Sequence, residues 1–175
     1  IICVLYDMTE NARMKEILLH ESNYDALTGI YNRGGGIKAV RGSLENANEY
    51  SFMFFDVDNL KLLNDRYSHE AGDRALRYFS ELLMKYFSEE TILVRMGGDE
   101  FVAFLDGSTT MQRLQRIYTI LEQEYCSFID KQYPESHSSV SIGCVIGNRK
   151  CNFEELYRMT DGLMYDIKKH GKRGY

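Results

Sequence analysis

With 175 residues, 44% of them hydrophobic, the chain holds enough apolar material for one domain plus a short extra segment. A net charge of −5 excludes the basic surface that holds long nucleic acid by its phosphates, yet leaves room for a small nucleotide gripped through a divalent cation. Cys3, Cys126, Cys144 and Cys151 form no CxxC pair, which argues against a disulfide or zinc framework and for a reducing, cytoplasmic setting.

The chain opens on Ile1–Tyr6, a strand-like run with nothing before it to pair by a short hairpin. Neither it nor Phe52–Phe55 approaches the roughly 20 apolar residues that cross a bilayer, so no direct membrane contact is expected of this segment, although a parent protein can be anchored elsewhere. Asp7-Met8-Thr9-Glu10 offers capping-box chemistry for a helix over about 10–24, with Met14, Ile17 and Leu18 as its apolar stripe. The strand, the D-M-T-E junction and the helix together resemble the exit of a PAS sensor domain into a signalling helix. That resemblance implies three parts: a remnant of an upstream sensor domain at 1–9, a linker helix at 10–24, and the main domain at 25–175.

From Asp25 onward the pattern is that of a compact α/β unit. Ile37, Val40 and Leu44 share one helical face, and Gly34-Gly35-Gly36 before them lacks the Lys-Ser/Thr of a P-loop, so it reads as a flexible start to that helix. Ser51–Asp58 is a near-continuous apolar run ending in two aspartates, as expected of a central strand whose carboxyl end opens onto a site. A helix follows over Gly72–Phe87. Thr91–Met96 and Phe101–Leu105 then read as strands of a hairpin turned by Gly97-Gly98-Asp99-Glu100, where glycine supplies the positive φ of a tight turn. Thr110–Lys131 reads as a helix, Ser138–Ile146 as a strand, and Phe153 to about His170 as a closing helix. The predicted fold is α+β, a ferredoxin-like or palm-type β-α-β-β-α-β core with an antiparallel central sheet flanked by helices.

This order places Asp56 and Asp58 at one strand end beside Asp99 and Glu100 on the hairpin, so four carboxylates are expected to converge. Such crowding is unfavourable without a hard cation, and magnesium accepts carboxylate oxygens while keeping positions for water and phosphate. Metal-assisted nucleotidyl transfer is the chemistry such a sheet supports. Taken singly, the same residues also read as a strand end and a hydrophilic turn.

Taken together, the motifs resemble one family. Arg95-Met96-Gly97-Gly98-Asp99-Glu100-Phe101 matches R-x-G-G-D-E-F, Asp25–Arg33 resembles D-x-L-T-G-L-x-N-R, and Phe55–Asp65 with His69–Asp73 follows F-D-x-D-x-x-K-x-x-N-D and H-x-x-G-D. Ser141-Ile142-Gly143 and Asp161–Lys168 complete the series, which is similar to the GGDEF diguanylate cyclases from Asp25 to about Lys172. The resemblance implies two GTP molecules condensed to cyclic di-GMP and pyrophosphate, across a homodimer, as bacterial second-messenger output of an upstream sensor. It implies magnesium, with manganese as a substitute, on Asp56, Asp99 and the Val57 carbonyl, and Glu100 as a second required acid.

By the same resemblance Asn64 and Asp73 read guanine, whose N1–H and N2–H a carboxylate can accept; adenine would leave that carboxylate unpaired. Asn59, Leu60, Lys61, Gly97, Gly98, Lys168 and Lys172 align with contacts to the phosphates and the nucleotide backbone. Lys172 stands where the family usually carries arginine, keeping the charge but not the forked donor. Ser68 replaces a usual glycine, and His69 is expected to be a structural hydrogen-bonder. Many members carry an inhibitory R-x-x-D before the signature; here Ser88 and Thr91 replace its Arg and Asp, so no inhibitory site is expected. Two other readings stay open: a catalytically silent GTP-binding regulatory module, and a palm cyclase with a different product.

Overall fold

The computed structural model describes residues 8–148 and 151–169. Element order is α1 (Met8–Asn23), α2 (Arg33–Leu44), β1 (Tyr50–Asp58), α3 (Leu60–Arg66), α4 (His69–Tyr86), β2 (Ile92–Gly97), β3 (Glu100–Asp106), α5 (Met111–Gln132), β4 (Ser139–Gly147) and α6 (Phe153–Lys169). The expected succession of strands and helices is present, with most ends displaced by one or two residues; α4 starts three residues earlier than expected, at His69, and the short helix α3 stands between β1 and α4. The strand-like start, Ile1–Tyr6, and Asp7 of the D-M-T-E cap lie outside the described residues.

One antiparallel sheet runs in the order β2-β3-β1-β4. Its centre, β1, is buried on both faces because its residues alternate between two cores. Met53, Phe55 and Val57 point into one, shared with Leu76, Phe79 and Leu83 of α4 and Leu121, Tyr125 and Ile129 of α5. Phe52 and Phe54 point into the other, shared with Val40 and Leu44 of α2 and Phe153, Leu156 and Met164 of α6. The sheet is thus a middle layer, and the carboxyl end of β1 opens between α3, the β2–β3 turn and α6.

Two glycines set how closely α2 sits. A Cβ on Gly36 would stand 2.2 Å from Val94, and one on Gly35 would stand 2.3 Å from the Asn23 carbonyl. Both are buried inside the first turn of α2, whose N-cap is the Asn32 side chain on the Gly35 amide (2.9 Å). Gly35 and Gly36 are therefore a close-packing surface and not part of the flexible start that the composition suggested, while Gly34 is exposed. Glycine was needed there for missing bulk, not for freedom of φ.

Candidate active site

The signature hairpin is tight. Gly97 and Gly98 bound its turn at φ 142° and 54°, conformations that side chains resist, and Met96 is an extra residue bulged out of the β2–β3 ladder. The bulge re-aims the turn toward β1, where the Val57 amide donates to the Asp99 carbonyl (2.9 Å). Across the β1–β3 ladder Asp56 stands directly opposite Glu100, a register that puts their Cβ atoms about 5 Å apart.

A second set of bonds fixes the turn from behind. Arg95 donates through Nη2 to the Gly98 carbonyl (2.9 Å) and through Nη1 to Asp25 Oδ1 (3.1 Å). That oxygen also accepts from the Thr28 amide (3.0 Å) and hydroxyl (2.7 Å). Burial works against the Asp25 charge, but Thr28 and the Arg95 guanidinium outweigh it and hold the carboxyl below its ordinary value. Tyr31 carries the same loop onto β2, with its amide on the Leu93 carbonyl (3.1 Å) and its own carbonyl taking the Arg95 amide (2.8 Å). The D-x-L-T segment thus acts as a strut beneath the signature. The motif comparison had given Asp25 and Arg95 no role; opposite charges at the ends of two motifs were the available signal.

The expected fourfold convergence of carboxylates does not occur. Asp58 is buried, and its Oδ2 accepts from the hydroxyls of Ser141 (2.6 Å) and Ser139 (3.3 Å), tying the end of β1 to β4. Strand alternation puts Asp58 on the same face as Asp56, but serines more than 80 positions along the chain take it up first. Among the described residues no three His, Cys, Asp or Glu side chains form a ready metal cage. What remains is a pair of strand-end acids, Asp56 and Glu100, with Asp99 beside them. Burial, then the Asp99 and Asp56 charges, push the Glu100 carboxyl up. Hard oxygen donors crowded until their charge is unfavourable are of the kind that suits a divalent cation.

The asparagine and aspartate expected to read a base stand on neighbouring helices, α3 and α4. Asn64 on α3 lies over Gly72 on α4 so closely that a Cβ there would be 2.0 Å from Asn64 Oδ1. That oxygen is buried with no hydrogen-bond partner, which is costly unless a ligand donor completes it. Asp73 follows Gly72 and is half-buried. The glycine of H-x-x-G-D is there to make room for the asparagine.

On the phosphate side Asn59 sits in the left-handed region (φ 59°) and gives its side chain to the His137 carbonyl (2.7 Å), so it does not cap α3. Leu60 opens that helix and Lys61 is exposed in its first turn. Lys168 falls in the last turn of α6, where side chains are not described, and Lys172 lies outside the described residues. Ser68 caps α4 through the Ala71 amide (3.1 Å), so the residue that replaces the usual glycine has a structural use. His69 is exposed in the first turn of that helix.

Residues 22–174 match the family described as "Diguanylate cyclase, GGDEF domain". The diguanylate cyclase DgcM of Escherichia coli K12 is 28% identical over 178 residues, covering 98% of this chain and 42% of its own length. The cyclic di-GMP phosphodiesterase PdeR of the same organism is 30% identical over 179 residues, but only 26% of its length is spanned. Among solved structures, a microbial GGDEF domain described in an interaction with bis-(3,5)-cyclic di-GMP superposes with a TM-score of 0.72 at 30% identity, covering 88% of this chain and 95% of that one. The coiled coil and GGDEF domain of Caulobacter crescentus DgcB superposes at 0.76 with 20% identity, over 94% and 91% of the two chains, and speaks to fold alone. With the signature hairpin, the aspartate-ended central strand and the asparagine-over-glycine pocket in one antiparallel sheet, the chain belongs to the GGDEF domain family.

Proposed function

We propose that the chain is the catalytic unit of a diguanylate cyclase. Two copies each bind one GTP, and the 3′-hydroxyl of each nucleotide attacks the α-phosphate of the other to give cyclic di-GMP and two pyrophosphates. The observation that carries this reading is the end of β1, where Asp56 faces Glu100 and the Asp99 backbone is bonded to Val57. A silent module has no need to keep these acids crowded. Asp56, Asp99 and the Val57 carbonyl would hold magnesium, with Glu100 as the further acid. Bound there, the metal supplies charge neutralisation and activation of the hydroxyl.

The protein's own part is to hold and orient. Asn64 Oδ1 and Asp73 accept from the guanine edge, the amides at Asn59 and Leu60 with Lys61 meet the phosphates, and Gly97 and Gly98 let the backbone come close. Met14, Ile17 and Leu18 of α1 are each more than half exposed, a stripe that a second copy would cover while passing on the state of an upstream sensor. Ser88 and Thr91 bond to one another (3.2 Å) in place of an R-x-x-D anion site, which supports control through the linker and not through product.

A second reading, a GTP-binding regulatory module, is favoured by the likeness to part of a phosphodiesterase. Incubation of the purified protein with GTP and magnesium, followed by chromatography, separates the two. Cyclic di-GMP is expected, with Asp99→Ala lowering turnover at least 100-fold. GTP binding without product would favour the regulatory module.

A further inference from the structure

One aromatic side chain reaches the acid end of the site from α6, and no motif accounts for it. Tyr157 lies on the inner face of α6. Its ring meets Phe54 edge-on (5.1 Å between centroids, 87°) and stacks with Phe153 (6.0 Å, 30°), so two contacts fix the plane of the phenol. Its hydroxyl points at Glu100 Oε2, 3.5 Å away.

The approach of α6 that makes this reach possible is set by Gly143. A Cβ there would stand 2.4 Å from the Thr160 carbonyl and 3.1 Å from Met164. Glycine at this point of β4 therefore lets the helix settle onto the sheet one turn from Tyr157, with Leu156 and Thr160 buried alongside. Thr160 returns its hydroxyl to the carbonyls of Leu156 (2.9 Å) and Tyr157 (3.1 Å), holding that turn.

Resting on the cyclase reading above, we propose that Tyr157 is a positioning residue: its hydroxyl donates to one oxygen of Glu100 and so turns the other oxygen toward the reacting groups. The chemistry favours a phenol in this place. Glu100 is flanked by Asp56 and Asp99, which repel it, so its free side chain would swing away from them. A lysine or arginine would hold it but would also cancel the negative charge that a divalent cation needs. A neutral donor orients the carboxylate and leaves its charge intact. The 3.5 Å separation exceeds a formed O–H···O⁻ bond of about 2.6 Å, and a small rotation of the Glu100 side chain closes it.

The test has two arms. In protein carrying 13C at the tyrosine ζ position, without nucleotide or metal, the resonance that Tyr157→Phe removes should shift on Glu100→Gln more than that of any other tyrosine. An unmoved resonance overturns the contact, whatever the protein catalyses. In turnover, Tyr157→Phe, which keeps the ring, should lower kcat about three- to ten-fold, as loss of a hydrogen bond to a charged group does. KM for GTP should stay within two-fold and the melting temperature should not change. In a Glu100→Asp background, which withdraws the carboxylate, the same substitution should have little further effect. A full multiplicative loss there, or an unchanged kcat, would overturn the positioning role. Absence of product from the unsubstituted protein overturns the cyclase reading and the kinetic half of this inference, while the resonance still decides the contact.

Discussion

The acid end of the site and its base pocket are built in opposite ways. At the acid end the protein supplies its own partners: Arg95 is bound by Asp25 and the Gly98 carbonyl, and the Asp99 carbonyl by the Val57 amide. In the base pocket Asn64 Oδ1 is buried without a partner. Preorganisation therefore sits where charges must be held against repulsion, and an unmet acceptor where the proposed function has guanine bind. An unpaired acceptor discriminates because any ligand lacking the matching donor leaves it unpaired.

The sharpest way to break this contrast is to remove the strut. Arg95→Ala takes away the bonds to Asp25 and to the Gly98 carbonyl, and it leaves a partly buried carboxylate without its counter-ion. Stability should fall by about 2 kcal/mol, and kcat by 10- to 100-fold, because the turn that carries Asp99 loses its fixed position. GTP binding should change much less, since Asn64 and Asp73 stand on α3 and α4. Urea unfolding and calorimetric titration with GTP check the two halves. Equal losses of affinity and turnover would mean that acid end and pocket are one cooperative unit.

Asn64→Leu should do the reverse. Replacing a half-buried asparagine whose buried oxygen has no partner by an apolar side chain of similar size removes a desolvation cost, so the ligand-free protein should gain about 1 kcal/mol. The same change deletes a guanine contact, and GTP should bind about ten-fold more weakly, with its preference over ATP reduced. Stability and function then move in opposite directions, as they should where an unpaired group is kept for a ligand. A destabilised Asn64→Leu protein would show that the oxygen is paired in solution and would remove the ground for the contrast.

The sequence made the skeleton of this arrangement legible, because strand and helix periods, turn glycines and ordered motifs are local signals. It misled where the deciding neighbour is remote. Two aspartates at the end of a strand promise two ligands, yet Asp58 is claimed by Ser139 and Ser141, which no local pattern relates to it. A run of three glycines suggests mobility, whereas Gly35 and Gly36 exist for close approach to Asn23 and Val94. Tyr157 was invisible for the same reason: helical spacing places it on the inner face of α6, but only the depth allowed by Gly143 brings its hydroxyl to Glu100. Composition reports what a residue permits, and packing decides which permission is used.

The smallest effect concerns the strut's own charge. Burial alone would raise the Asp25 carboxyl, but Thr28 and Arg95 hold it below its ordinary value, so the native state favours the ionised form. A depressed folded value contributes stability that is fully present above the unfolded carboxylate value of about 3.9 and is lost as pH falls through the folded one. Asp25→Asn keeps the shape and can still accept from Thr28, but it lacks the charge. At pH 7 the variant should be about 1 kcal/mol less stable than the unsubstituted protein. The gap should hold down to about pH 5, begin to narrow near the unfolded value of about 3.9, and close only as pH falls through the lower folded value, where the native aspartate becomes neutral. Urea midpoints at pH 7, 5, 4 and 3 follow it directly. A gap that stays constant across this range would mean that Asp25 braces the signature by shape and hydrogen bonding alone, and that the Arg95 ion pair adds no stability of its own.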